Sequence, residues 1–244
     1  GIGISGVAPN ASYSAIRHYG ANTDFEDSIA LRFALDSVDI YNNSWGPEDT
    51  GNIDPLGPLT TATFAEGVAN GRDGKGVIYT WAGGNGRESN DNSNYDGYAN
   101  SRYVIAVAAM NQDGIYASYS EPGANVLITA PANPVTTTDI TGTDGYSSES
   151  YMDDMDGKSS STPFVSGVIA LMLQANPELG WRDLQHILVN SASKVNSNSE
   201  GWLTNGAGKD FNHDYGFGRI DADAAVTLAK GWTNVEPEVN FSNN

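Results

Sequence analysis

Two stretches of this chain are apolar on both sides of an extended backbone: Gly76-Val-Ile-Tyr-Thr-Trp-Ala82 and Tyr103-Val-Ile-Ala-Val-Ala-Ala109. A strand that faces water on one side alternates polar and apolar residues. Runs as continuous as these belong to a sheet covered on both faces, and such sheets are parallel because their crossover helices lie across each face. This pair of segments limits the fold more than any other feature.

The flanking segments fit around it. Residues 11–16 and 38–41 read as earlier strands, and residues 124–130 as a later one. Residues 24–35 space Phe25, Ile29, Leu31 and Leu35 as an amphipathic helix, with Thr23 or Asp24 at its N-cap. Further helices are expected over residues 59–71, 163–174, 180–193 and 221–230. Strand–helix alternation predicts an α/β fold, a parallel sheet with helices on both faces. Ligands of such sheets bind beyond the carboxyl ends of the strands, so the loops after Tyr41, Trp81 and Ala109 are the places to look for chemistry. The length of 244 residues suits one domain, assigned to residues 1–232. Residues 233–244 read as a linker toward a following domain. The chain does not begin with Met, and the expectation is that a segment upstream has been removed.

Charge narrows the partners. With 30 Asp plus Glu against 12 Lys plus Arg, the formal net charge is −18, which disfavours nucleic acid and anionic membranes and favours cations such as calcium or basic peptides. The apolar run at 164–173 is far short of the ~20 residues needed to span a bilayer. The chain has no cysteine, which excludes thiol catalysis and Cys-ligated metal sites. Gly157-Lys158-Ser159 imitates the end of a phosphate loop, but Met152 stands where that motif needs its first glycine, and the acidic run before Gly157 would repel phosphate. Asn92-Ser-Asn94 imitates the start of an EF-hand loop, but the twelfth position is Tyr103 instead of Glu.

Ser159 has a better reading. A hydroxyl at the start of a long apolar helix sits beside unpaired backbone N–H groups and the positive end of the dipole, with Pro163 expected in the first turn. That environment suits a nucleophile whose attack creates an oxyanion, although an ordinary serine N-cap would look the same.

Ser159-x-x-x-Pro163, the apolar helix and Ala175-Asn-Pro-Glu-Leu-Gly-Trp181-Arg-Asp183 resemble the nucleophile region of subtilisin-like serine endopeptidases. Six further segments are similar to the kexin/furin branch and fall in the same order: Tyr41-Asn-Asn-Ser44-Trp45-Gly46-Pro-Glu-Asp49, Gly71-Arg-Asp-Gly-Lys-Gly76, Ala82-Gly-Gly-Asn85-Gly86, Asn94-Tyr-Asp96-Gly97-Tyr98, Tyr119-Ser-Glu121 and His213-Asp-Tyr-Gly-Phe-Gly-Arg-Ile-Asp221. The absence of cysteines near Ser93 and Tyr95 points to a bacterial member.

The resemblance implies a calcium-dependent serine endopeptidase acting on basic peptide or protein substrates, secreted or held in the periplasm or cell envelope. It implies Ser159 as nucleophile and Asn85 as oxyanion-hole amide. It places Ser44, Trp45 and Gly46 along the substrate and Ala82, Gly83 and Gly84 on the opposite wall of the pocket for the P1 residue (the one before the cleaved bond). Asp49 and Asp96 would bind a P1 Arg or Lys, and Asp49, Asp91 and Glu121 would hold Ca2+. Asp27 and Tyr98 are candidates for a further basic subsite.

Two features depart from the family. None of the three histidines, His18, His186 and His213, stands in a His-Gly-Thr context, so the catalytic His and Asp are expected upstream of Gly1. A propeptide or the missing N-terminal segment would then be a partner. Lys158 replaces the usual Thr, and Thr162 stands where Ala is expected. These departures leave a non-catalytic pseudo-protease that binds basic peptides as the alternative.

Overall fold

The computed structural model describes residues 4–18 and 23–239. The chain runs α1 (Asp24–Leu31), β1 (Ile40–Asn43), α2 (Pro58–Asn70), β2 (Ile78–Ala82), β3 (Val104–Asn111) and β4 (Val126–Asn133), then β5 (Val135–Thr138), β6 (Tyr151–Met155), α3 (Lys158–Ala175), α4 (Trp181–Ser191), β7 (Leu203–Thr204), β8 (Asp210–Phe211) and α5 (Ala222–Lys230). Strands β1 to β4 form one sheet in the order β1-β2-β3-β4, and every pairing within it is parallel.

Side-chain alternation divides the core between the two faces of this sheet. Ile78, Ile105 and Val107 point to the side covered by α3, α4 and α5, where they meet Val165, Ile169, Leu184, Ile187 and Ala225. Tyr79, Trp81, Val104 and Ala106 point to the other side, onto Leu31 of α1 and Phe64 and Val68 of α2. Both faces are dry, which is why β2 and β3 carry almost no polar residue. Thr80, the exception in β2, is fully buried, and its hydroxyl lies 2.7 Å from that of Ser166 on α3.

Helix ends follow local chemistry. The Thr23 hydroxyl accepts the Glu26 N–H at 3.3 Å and starts α1. The α2 N-terminus has no side-chain cap of its own and is instead capped by Asp24, whose carboxylate accepts the Leu59 and Thr60 N–H groups at 2.9 and 2.8 Å.

The structure differs from the sequence expectations at four places. Residues 11–16 are extended but pair with no strand among the described residues, and their side chains face solvent. Helix α3 begins at Lys158, so Pro163 lies inside it instead of in its first turn. Proline leaves the Ser159 carbonyl without its intrahelical donor, and the Ser44 hydroxyl donates to that carbonyl at 3.1 Å. The β5–β6 hairpin was not expected, because Val135-Thr-Thr-Thr138 and Tyr151-Met-Asp-Asp-Met155 show no apolar alternation in sequence. Residues 233–239 lie against the domain: Asp183 accepts the Val235 N–H at 2.7 Å, and Arg102 pairs with Glu238 at 2.8 Å. Residues 1–3 and 240–244, which include the ends of the expected domain and linker, lie outside the described residues.

Candidate active site

Three strand exits and one helix start converge. Ser44, Trp45 and Asp49 follow β1, Gly83 to Asp96 follow β2, Glu121 follows β3, and Ser159 sits in the first turn of α3. They enclose a cleft of about 110 Å³ lined by Ser44, Trp45, Gly46 and Asp49 on one side and by Ala82, Gly84 and Asn85 on the other. Asp91, Asp96, Glu121 and Ser159 also line it. Of the binding residues singled out in the sequence, Gly83, Asp27 and Tyr98 do not line it; the Gly83 N–H reaches the Val107 carbonyl at 3.1 Å.

The nucleophile end is built around the α3 N-terminus. Gly157 precedes the helix with φ at 87°, a conformation that favours glycine, and turns the chain so that Ser159 reaches the cleft. The Ser159 hydroxyl donates weakly to the Ser44 carbonyl at 3.3 Å. Asn85 Oδ1 accepts the Lys158 N–H at 3.0 Å. With its oxygen committed there, the Asn85 amide keeps its N–H₂ as the group it can offer a ligand, beside helix N–H groups that have no intrahelical acceptor.

The histidines lie elsewhere. His18 Nε2 is 2.7 Å from the carboxylate of buried Asp27, and the imidazole stacks on Trp45 with ring centroids 4.6 Å apart. Asp27 also accepts the Tyr98 hydroxyl at 2.6 Å. His18 lies in a loop and packs against Trp45, and no motif announced this contact. His186 and His213 are exposed, on α4 and beside Phe211.

Asp96 is buried at the pocket floor. Its Oδ1 accepts the N–H groups of Tyr98 and Ala99 at 2.7 and 3.3 Å, and its Oδ2 faces the wall at Gly46, where a Cβ would stand 3.2 Å away. Burial, with repulsion from Asp54 and Asp49, outweighs those hydrogen bonds and lifts this carboxyl to about 6.

Below lies an acidic cluster in which Asp49, Asp91 and Glu121 each bring one oxygen to within 4.8 Å of the others. The backbone holds it in shape. Glu121 accepts the Gly86 N–H at 2.8 Å and Asp91 accepts the Gly51 N–H at 2.9 Å. A Cβ at Gly84 would collide with the Glu121 carboxylate, and one at Gly86 with Asp49, so the two glycines let the main chain close over the carboxylates. Hard oxygens from three loops, two of them on buried residues, fit a calcium ion. Burial pushes the Glu121 carboxyl well above the usual carboxylate range despite the pull of Lys158, and repulsion from Asp91 and Asp49 adds to the rise.

The pattern of the Subtilase family matches residues 1–218. The chain is 39% identical over 236 residues to human proprotein convertase subtilisin/kexin type 4, and 37% identical over 241 residues to human furin. Each of these alignments covers 96% of this chain but only 31% and 30% of the respective relative, so the chain spans about a third of their length. Among solved structures, the serine protease of Aeromonas sobria superposes with a TM-score of 0.86 at 26% identity, covering 96% of this chain and 51% of that one. A match over so much of the chain, on a fold whose strand exits gather the same motifs, establishes that it belongs to the subtilase family, with furin-like proprotein convertases among its relatives.

Proposed function

We propose that the protein containing this chain is a calcium-dependent serine endopeptidase that cleaves peptide bonds after Arg or Lys. The observation that carries this reading is one cleft that holds the Ser159 hydroxyl, the Asn85 amide and the buried Asp96 carboxylate above an acidic cluster. A substrate strand lies along Ser44-Trp45-Gly46, which continues β1, the outer strand of the sheet. Its basic P1 side chain enters between Gly46 and Gly84 toward Asp96 and Asp49. Ser159 Oγ then bonds to the scissile carbonyl carbon while its proton passes to a histidine base. The Asn85 N–H₂ and the Ser159 N–H hold the oxyanion. That base and its orienting acid come from sequence preceding Gly1. The proprotein convertases among the relatives support a secreted or cell-envelope protein matured from a precursor.

Asp96 gives a direct test. In the full-length protein, Asp96→Asn should lower kcat/KM on an Arg-P1 peptide by about 30-fold or more and leave an isosteric neutral-P1 peptide nearly unaffected. Protonation has the same sense. Because the Asp96 carboxyl is lifted to about 6 in the free protein, KM for the Arg-P1 peptide should rise as pH falls through that value. Equal losses on both peptides would rule out Asp96 as the specificity group. Asp49, Asp91 and Glu121 would hold the calcium, whose charge fixes the pocket floor. Chelation should therefore lower the melting temperature of the intact protein by about 5 °C, and an unchanged value would remove calcium from the reading.

One observation favours a second reading, a pseudo-protease that binds basic peptides without cutting them: the Ser159 hydroxyl meets the Ser44 carbonyl, and His18 is engaged with Asp27 instead. A full-length protein that retains an Arg-containing peptide uncleaved would decide for it.

A further inference from the structure

Lys158 is fully buried one residue before Ser159. Its Nζ donates to the Gly83 carbonyl at 2.7 Å and to the Glu121 carbonyl at 3.0 Å, while its own N–H is held by Asn85. The exits of β2 and β3 and the start of α3 are thus tied together at a single residue. The fit is tight, because a Cβ at Gly83 would stand 3.2 Å from Nζ and 2.9 Å from Ser93 Oγ. An ammonium has donors only, and burying it requires acceptors and opposite charge. The two carbonyls supply the acceptors. Burial acts most strongly and pulls the amine down from the usual lysine range; Glu121 opposes it most, Arg87 adds to the pull, and Asp49 acts more weakly in the favourable sense. The ammonium thus sits against the main chain of Glu121, itself a member of the acidic cluster, without a direct ion pair to a carboxylate among the described residues.

We propose that Lys158 is a tethered counter-ion of the Asp49–Asp91–Glu121 cluster, holding the pocket floor together at low calcium and weakening calcium binding there. The proposal rests on the reading that this cluster takes calcium. The charge argument is simple: three carboxylates present a formal −3 to an incoming ion, and a buried ammonium against them reduces this to −2. A neutral side chain at position 158 restores the full charge. Lys158 acts through the cluster and the Gly83 wall, as a positioning residue, with its amine turned to those carbonyls and away from the peptide.

The test uses the full-length protein carrying Ser159→Ala, which prevents self-cleavage. Calcium is titrated against it while tryptophan fluorescence is followed, since Trp45 lines the cleft. Lys158→Met, which keeps the length and loses the charge, should tighten the calcium Kd by about tenfold or more. Its melting temperature should fall in chelator and recover at saturating calcium. Lys158→Thr, a shorter neutral side chain, should tighten binding in the same way. Variants that fold only when calcium is added also support the proposal. An unchanged or weaker calcium Kd in both variants overturns it and leaves the calcium site standing. Variants that stay unfolded at every calcium concentration overturn it too, because Lys158 is then a packing element and nothing more. If neither the parent nor the variants bind calcium, and Asp91→Asn changes nothing, the calcium reading fails together with this one.

Discussion

Replacing Ser159 by Ala in the full-length protein should reduce kcat on an Arg-P1 peptide by about 10⁶-fold, while substrate affinity and stability hardly change. The size of the loss follows from the role. Without the hydroxyl there is no nucleophile, and only binding and the oxyanion donors remain to accelerate attack by water, a residual of about 10³–10⁴ over the uncatalysed reaction. Stability should stay because the hydroxyl makes little of the fold. Its bond to the Ser44 carbonyl is long, at 3.3 Å, and the loss of one such bond costs about 1 kcal/mol or less. The junction between α3 and the β1 exit persists, since the reverse contact, from the Ser44 hydroxyl to the Ser159 carbonyl at 3.1 Å, uses backbone that alanine keeps. Steady-state kinetics with a burst-phase assay and a thermal melt measure both halves. Retained turnover would end the assignment of Ser159 as nucleophile.

How far the sequence led depended on what each element buries. Strands β2 and β3 were legible because both of their faces are dry, and their bounds differ from the expected ones by at most two residues. The residues gathered in the cleft follow strand exits in contiguous motifs that resemble the kexin/furin branch, and Asn85, Asp96 and Glu121 were named from that resemblance. The start of α3 was misplaced because Pro163 looks like a helix start. In fact the hydroxyls before it fold back on the main chain: Ser160 donates to the Asp156 carbonyl, and Ser161 and Thr162 both donate to that of Lys158. The helix can therefore begin five residues earlier. His18 and Asp27 were not legible as a pair. Their contact joins two chain segments and depends on the Trp45 ring between them and the cleft, which spacing does not encode. The depth of Lys158 was hidden for a different reason. A lysine is almost always exposed, and only the carbonyls of Gly83 and Glu121 and the cluster behind them make its burial tolerable.

Asn85 joins these arguments, because one side chain serves both the helix and the reaction. Asn85→Ala should lower kcat by about 10²–10³-fold with KM little changed, the signature of a donor engaged only when the oxyanion forms. It should also destabilise the fold, by about 1 kcal/mol. Asn85 Oδ1 accepts the Lys158 N–H at 3.0 Å, and alanine leaves that helix-end group without its partner. A second variant separates the two effects. Asn85→Asp keeps an acceptor for the Lys158 N–H and adds negative charge at a helix N-terminus, so the stability loss should largely disappear. Its kcat should fall at least as far as that of the alanine variant, since a carboxylate donates nothing and repels the developing oxyanion. Parallel denaturation curves and kcat measurements on the two variants supply the comparison. If Asn85→Asp regained both stability and turnover, Asn85 would be a helix cap alone and the oxyanion would need another donor. If stability returns without turnover, the amide nitrogen is the donor the reaction requires.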